Sequence, residues 1–139
     1  MTRRIAVAAL ALAALAAPLQ AADPVDGRWV TEERDAVIAI TNCGGSKCGR
    51  IAKFLVAPPQ GADQRDVNNT DPKLRSRKVL GMPVLTGFTD EGADWRGRIY
   101  DPKSGKTYRS ILRRIDANTL QVKGCLGPFC QTQTWKRAR

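Results

Sequence analysis

The sequence predicts an all-β fold, a small eight-stranded antiparallel up-and-down β-barrel with one short helical turn in a long loop. Three observations lead there. Short runs that alternate apolar and polar residues with a period of two recur between turn residues. No stretch of about ten or more residues carries a helical apolar stripe. Most connections are of hairpin length and rich in turn formers, such as Asp90-Glu91-Gly92, Asp101-Pro102-Lys103-Ser104-Gly105 and Asp116-Ala117-Asn118. Sequential hairpins make a meander, and eight strands can close on themselves and remove both edges.

The chain opens with Arg3 and Arg4, an apolar run from Ile5 to Ala17, and then Pro18-Leu19-Gln20-Ala21-Ala22. This reads as a secretory signal peptide over residues 1–22, cleaved after Ala21 or Ala22. The run falls short of the roughly 20 apolar residues of a membrane span, and no later segment is apolar enough to form one. No cysteine stands directly after the cleavage point, which argues against a lipid anchor. Residues 23–139 then form a single barrel domain, large enough to bury roughly two-thirds of its unfolded surface.

In chain order the expected strands are Gly27 to Glu32, Ala36 to Thr41, Cys48 to Val56, Met82 to Phe88, Asp94 to Tyr100, Lys106 to Ile115, Thr119 to Gly124, and Phe129 to Lys136. Trp95, Gly97 and Ile99 share one face against Arg96, Arg98 and Tyr100; Leu120 and Val122 alternate with Gln121 and Lys123. Ala36 to Ile40 is apolar on both faces. Along Lys106 to Ile115 the inner face stays open, because Tyr108, Ser110, Leu112 and Arg114 oppose Thr107, Arg109, Ile111 and Arg113.

The connection from Ala57 to Val79 is too long for a hairpin. Within it Asp71-Pro72 has the form of a helix start, the carboxylate capping free amides and proline taking the first helical position. Long ordered loops are often functional, so Asp66, Asn69, Arg75 and Arg77 are candidates for the mouth of a ligand site. The alternative is that Asp66 and Asn69 close turns while the arginines pair with them.

Of the 23 basic residues two lie in the leader, which leaves a net charge of +8 against 13 acids. Lys and Arg look dispersed, with a modest cluster at Lys73, Arg75, Arg77 and Lys78. Stacking aromatics do not accompany them, and the compartment holds no nucleic acid, so a nucleic-acid partner is not expected. The surface is either simply solvated or attracted to anionic lipid heads or acidic envelope polymers. The chain contains no histidine, which removes the commonest general base and metal ligand together. No metal, cofactor or catalytic constellation is expected. The carboxylate pairs Glu32 with Asp35 and Asp90 with Asp94 sit beside turns, and sequence spacing does not tell whether either converges.

Four cysteines lie behind the export signal as Cys43-Gly-Gly-Ser-Lys-Cys48 and Cys125-Leu-Gly-Pro-Phe-Cys130, and an oxidising compartment makes disulfides the leading reading. Three connectivities exist. A single long link is the most stabilising in chain-entropy terms, whereas the glycine-rich tips favour local pairs across hairpins. Local pairs, Cys43 with Cys48 and Cys125 with Cys130, are expected. Zinc binding and thiol exchange are minority readings, the latter because four residues, not two, separate each pair.

Gly27-Arg28-Trp29 at the first strand and Trp135-Lys136-Arg137 at the last resemble the lipocalin-type signature. The resemblance implies that Arg137 lies over Trp29 and closes the barrel bottom, with Gly27, Trp29 and Arg137 structural. A wider pattern joins these motifs: Cys48-Gly49-Arg50-Ile51, Asp66 to Pro72, Gly81-Met82-Pro83, Gly97 to Pro102, Gly105-Lys106-Thr107-Tyr108 and Gln133 to Arg137. Together they resemble a family of small exported bacterial proteins, domain of unknown function 2147. That resemblance covers nearly all of residues 23–139 and implies a lipocalin-like barrel with a periplasmic address. It brings no established activity.

Three functions follow as expectations. The leading one is binding of a small hydrophobic or lipidic ligand inside the barrel, against Trp29, Ile38, Trp95 and Trp135, with the mouth near Asp66 to Arg77. The second is an envelope interaction protein with a filled barrel and a basic exterior that contacts an anionic component. The third is a carboxylate-dependent hydrolase.

Overall fold

A computed structural model describes residues 9–139. The leader's Arg3 and Arg4 and the start of its apolar run lie outside the described residues. Among the described residues no helix is long and apolar enough to cross a membrane.

Eight antiparallel strands close into one barrel: β1 Gly27–Val30, β2 Ala36–Cys43, β3 Ser46–Phe54, β4 Pro83–Asp90, β5 Trp95–Asp101, β6 Lys106–Asp116, β7 Thr119–Leu126 and β8 Phe129–Arg137. Each pairs with the next, and β1 returns to β8 through Trp29 opposite Arg137. All eight expected strands are present, with ends shifted by one or two residues. β1 stops at Val30 rather than Glu32 because Thr31 begins the turn, where its hydroxyl donates to Asp35 Oδ1 at 2.6 Å and Arg34 takes a positive φ. β3 begins at Ser46 and stops at Phe54. The backbone amides of Leu55 and Val56 turn away to donate to the Asp35 carbonyl.

The interior is filled. Trp29, Leu85, Phe88, Leu112, Leu120 and Val122 are all essentially without solvent exposure. Each such side chain contributes about 1.5–3 kcal/mol by leaving water. On β6 the inner face is the one carrying Tyr108, Ser110, Leu112 and Arg114. Register decides it: Leu112 sits opposite Val122, a core residue, on one side and Trp95, which packs against the core, on the other. Ser110 is tolerated in the core because its hydroxyl donates to the Lys123 carbonyl at 2.7 Å. Gly97 is small for a packing reason, since a Cβ there would meet the Phe88 ring at 2.7 Å and the Thr86 carbonyl at 2.6 Å.

The segment ahead of β1 covers one end. Val25 is buried and its carbonyl accepts from Trp29 Nε1 at 2.9 Å, while the Asp23 carbonyl accepts from Trp95 Nε1 at 2.9 Å. The long β3–β4 connection lies at the other end and carries two 3-10 turns, Gly61–Asp63 and Pro72–Leu74. The second is the expected helical turn, in tighter form, with Asp71 Oδ1 accepting from the Lys73 amide at 3.0 Å. The first was not expected, because three residues leave no apolar stripe to read.

Candidate functional site

The four candidate residues of the long loop come together, but they face one another. Asp66 has a fully buried side chain. Its Oδ1 accepts from the Tyr100 hydroxyl at 2.6 Å; its Oδ2 accepts from Asn69 Nδ2 at 2.9 Å and from Arg77 Nε at 3.0 Å. Asn69 Oδ1 accepts from the Asp71 amide at 2.8 Å, an Asx turn, and Arg75 Nε donates to the Asn69 carbonyl at 2.8 Å. The Arg77 guanidinium lies 5.6 Å from the centre of the Tyr100 ring. Burial, then the hydrogen bond to Asp66 and its charge, push the Tyr100 hydroxyl up to about 12. Among the described residues no buried side-chain polar atom lacks a partner. This cluster therefore ties the loop down, and the carboxylate at its centre is fully engaged.

The same loop is docked on the β5–β6 hairpin. Asn68 Nδ2 donates to the carbonyls of Pro102 and Lys103 at 3.2 and 3.1 Å. Gly105, with φ of +71°, lies so close to the Asn68 carbonyl that no Cβ fits. Lys103 Nζ continues the tie to the β1–β2 hairpin, pairing with Glu33 at 2.5 Å and Asp35 at 2.8 Å. Burial pushes the Asp35 carboxyl up, but hydrogen bonds from Lys103 and Thr31 outweigh it and hold the group below its ordinary value.

Of the interior candidates, Trp29, Ile38 and Trp135 are buried in the packed core, and Trp95 is half-buried with Lys47 Nζ 5.5 Å from its ring centre. Arg137 lies over the Trp29 ring, 4.3 Å from its centre, and packs against Gly27. Two of the cavities among the described residues bear on ligand binding. One of about 20 Å³ lies among Ala22, Asp23, Asp94, Trp95 and Arg113, room for about one water. The other is an open groove of about 430 Å³ outside the core, lined by Phe54, Leu55, Ala57, Ala62 and Leu80.

The cysteines form local disulfides. Cys125 and Cys130 are direct neighbours across β7–β8, whereas Cys43 and Cys48 bridge the Gly44-Gly45 turn with an offset of two residues. Among the described residues no group of three or more metal-ligating side chains converges. Each member of the two carboxylate pairs is engaged by other groups. Glu32 accepts from the Thr134 amide, Asp35 is held by Lys103, Asp90 caps the amides of Ala22 and Gly92, and Asp94 pairs with Arg96.

Basic residues that look dispersed along the chain are gathered by strand pairing. The outer face of β5 carries Arg96 and Arg98, that of β6 Arg109, Ile111 and Arg113, and that of β7 Lys123. Arg98 stands directly opposite Arg109, and Ile111 lies between Arg96 and Lys123. Asp94 compensates Arg96 at 3.0 Å and Arg113 at 3.9 Å. Arg98, Arg109 and Lys123 form no ion pair among the described residues. A signal for this was present: from Trp95 to Arg137 carboxylates occur only at Asp101 and Asp116, both at strand ends.

Residues 27–137 match the family model described as "Uncharacterized protein conserved in bacteria (DUF2147)". The chain belongs to the DUF2147 family. A solved structure of similar fold is protein HP1028 from the human pathogen Helicobacter pylori, described as belonging to the lipocalin family. It matches with a TM-score of 0.71 at 23% identity, over 84% of each chain. This DUF2147 barrel is thus lipocalin-like in fold. No curated protein matches the chain.

Proposed function

We propose that this DUF2147 protein is exported, processed after Ala21 or Ala22, and resident in the periplasm, where its filled barrel presents a basic outer face to an anionic envelope component. The role is one of binding rather than catalysis. The observation that carries the reading is Arg98 directly opposite Arg109. Like charges directly opposite one another are destabilising, and an anion laid across them removes that cost. The filled interior supports the same reading, since Trp29, Leu85, Phe88 and Leu112 occupy the space an enclosed ligand would need.

The test is retention on an immobilised soluble polyanion. Elution of the parent is expected to fall to lower salt in Arg98→Glu/Arg109→Glu, and much less in the charge-matched Lys53→Glu/Lys73→Glu, whose residues lie outside this face. Equal losses in both variants would leave net charge as the whole explanation and sink the proposal.

A second reading, binding of a small hydrophobic ligand, rests on the groove beside Phe54, Leu55 and Leu80. Its volume of about 430 Å³ lies within the range of small-molecule sites. Native mass spectrometry of protein from the periplasm is expected to show a co-purified mass in that case. Bare protein in repeated preparations would count against it.

A further inference from the structure

We propose that the anionic partner is a lipid bilayer, and that the tip of the β7–β8 hairpin is the element that enters it. The inference rests on the reading of the basic face above. Past the leader, Leu55, Val56, Val67, Leu74, Leu126 and Phe129 are large apolar residues exposed at the barrel end that carries the long loop, and only Ile115 is exposed at the other. The most exposed of these are Leu126 at 73% and Phe129 at 81%, and they are cross-strand partners. They flank the Gly127-Pro128 turn, in which Gly127 has φ of +57°.

The tip is braced from behind. Cys125 and Cys130 form a disulfide one rung below Leu126 and Phe129, with their Cα atoms 4.0 Å apart. Arg109 Nη2 donates to the Gly127 carbonyl, which fixes a guanidinium beside the turn. Arg98, Arg109, Cys125 and Cys130 form one continuous cross-strand row. An apolar wedge held ahead of a basic row matches the layering of an anionic bilayer, with phosphates at the level of the arginines and acyl chains beyond. A braced hairpin also keeps Phe129 presented, because the chain has no freedom to fold it back. Two copies meeting symmetrically at this tip would set the arginine rows of both against each other, which disfavours self-association.

The test uses protein recovered from the periplasmic fraction after expression of the full chain, with sedimentation of phosphatidylglycerol-containing and pure phosphatidylcholine vesicles. Binding is expected to the former only, and to weaken at about 0.5 M salt. Leu126→Ser/Phe129→Ser is expected to reduce vesicle binding about tenfold or more, with retention on the soluble polyanion and thermal stability unchanged, since both side chains are already exposed. Vesicle binding equal to the parent in that variant would overturn the proposal. So would a parent that binds the polyanion but not the vesicles, a result that leaves the basic-face reading standing. Arg98→Glu/Arg109→Glu with both kinds of binding intact would instead remove the basic-face reading itself. A dimer without vesicles that the serine variant converts to monomer would make the tip a self-association surface.

Discussion

The Tyr100 hydroxyl donates to Asp66 Oδ1 at 2.6 Å, joining strand β5 to a loop residue 34 positions away in the chain. Arg77 and Asn69 occupy the other carboxylate oxygen. A fully buried carboxylate that keeps three donors is stable as a set, but removal of one partner exposes the cost of the rest. Asp66 is therefore one of the loop's ties to the barrel, beside the Asn68 hydrogen bonds to the carbonyls of Pro102 and Lys103.

Arg77→Ala is expected to destabilise by about 1–3 kcal/mol, since buried Asp66 loses its charged donor but keeps Tyr100 and Asn69, and the partly exposed Arg77 site admits water. Tyr100→Phe is expected to cost about 1–3 kcal/mol through the acceptor left unmatched. Tyr100 also predicts an alkaline signature. Its hydroxyl is held at about 12 in the folded chain against an ordinary 10. The stabilisation is complete below pH 10 and is lost as the pH rises from 10 through 12. Urea unfolding across that interval is expected to show a fall that Tyr100→Phe lacks; parallel curves would refute the linkage.

Arg137 closes the opposite end. Its guanidinium covers the Trp29 ring and its Nε donates to the Ala117 carbonyl at 2.6 Å. Arg137→Ala is expected to lower stability by about 1–2 kcal/mol, with Arg137→Lys recovering part of the loss. Thermal melts of the three proteins decide it. Equal stability of parent and alanine variant would show that the contact is ornamental.

Gly97→Ala is expected to cost about 1–3 kcal/mol, because the added methyl meets the Phe88 ring and the Thr86 carbonyl, a backbone atom that cannot step aside. Gly45→Ala meets nothing within 4 Å and serves as the comparison. If the two melt alike, the core is looser at Phe88 than the packing implies.

Strand positions were legible in the sequence because a half-buried strand writes its period of two directly into residue type, as in Leu120 and Val122 against Gln121 and Lys123. The local pairing of the cysteines was legible for a similar reason, since Gly44-Gly45 and Gly127-Pro128 mark the turns that bring each pair together. The inner face of β6 was not. Leu112 and Ile111 are equally apolar, and the choice between them is made by what lies opposite on β5 and β7. The Asx turn at Asn69 could be anticipated from its own residue type, but Tyr100 as a partner of Asp66 could not, because nothing local links them.

The sequence by itself thus determined the all-β class, the number and order of the strands, the two hairpin clips and the cap at Asp71, all consequences of interactions within a few residues. Only the tertiary structure decided that the interior is filled, that the loop's polar residues are spent on one another, and that Arg98 faces Arg109 beside an exposed Leu126 and Phe129. Those properties depend on register between strands. Register is set by the packing of the whole barrel, so no single segment contains it.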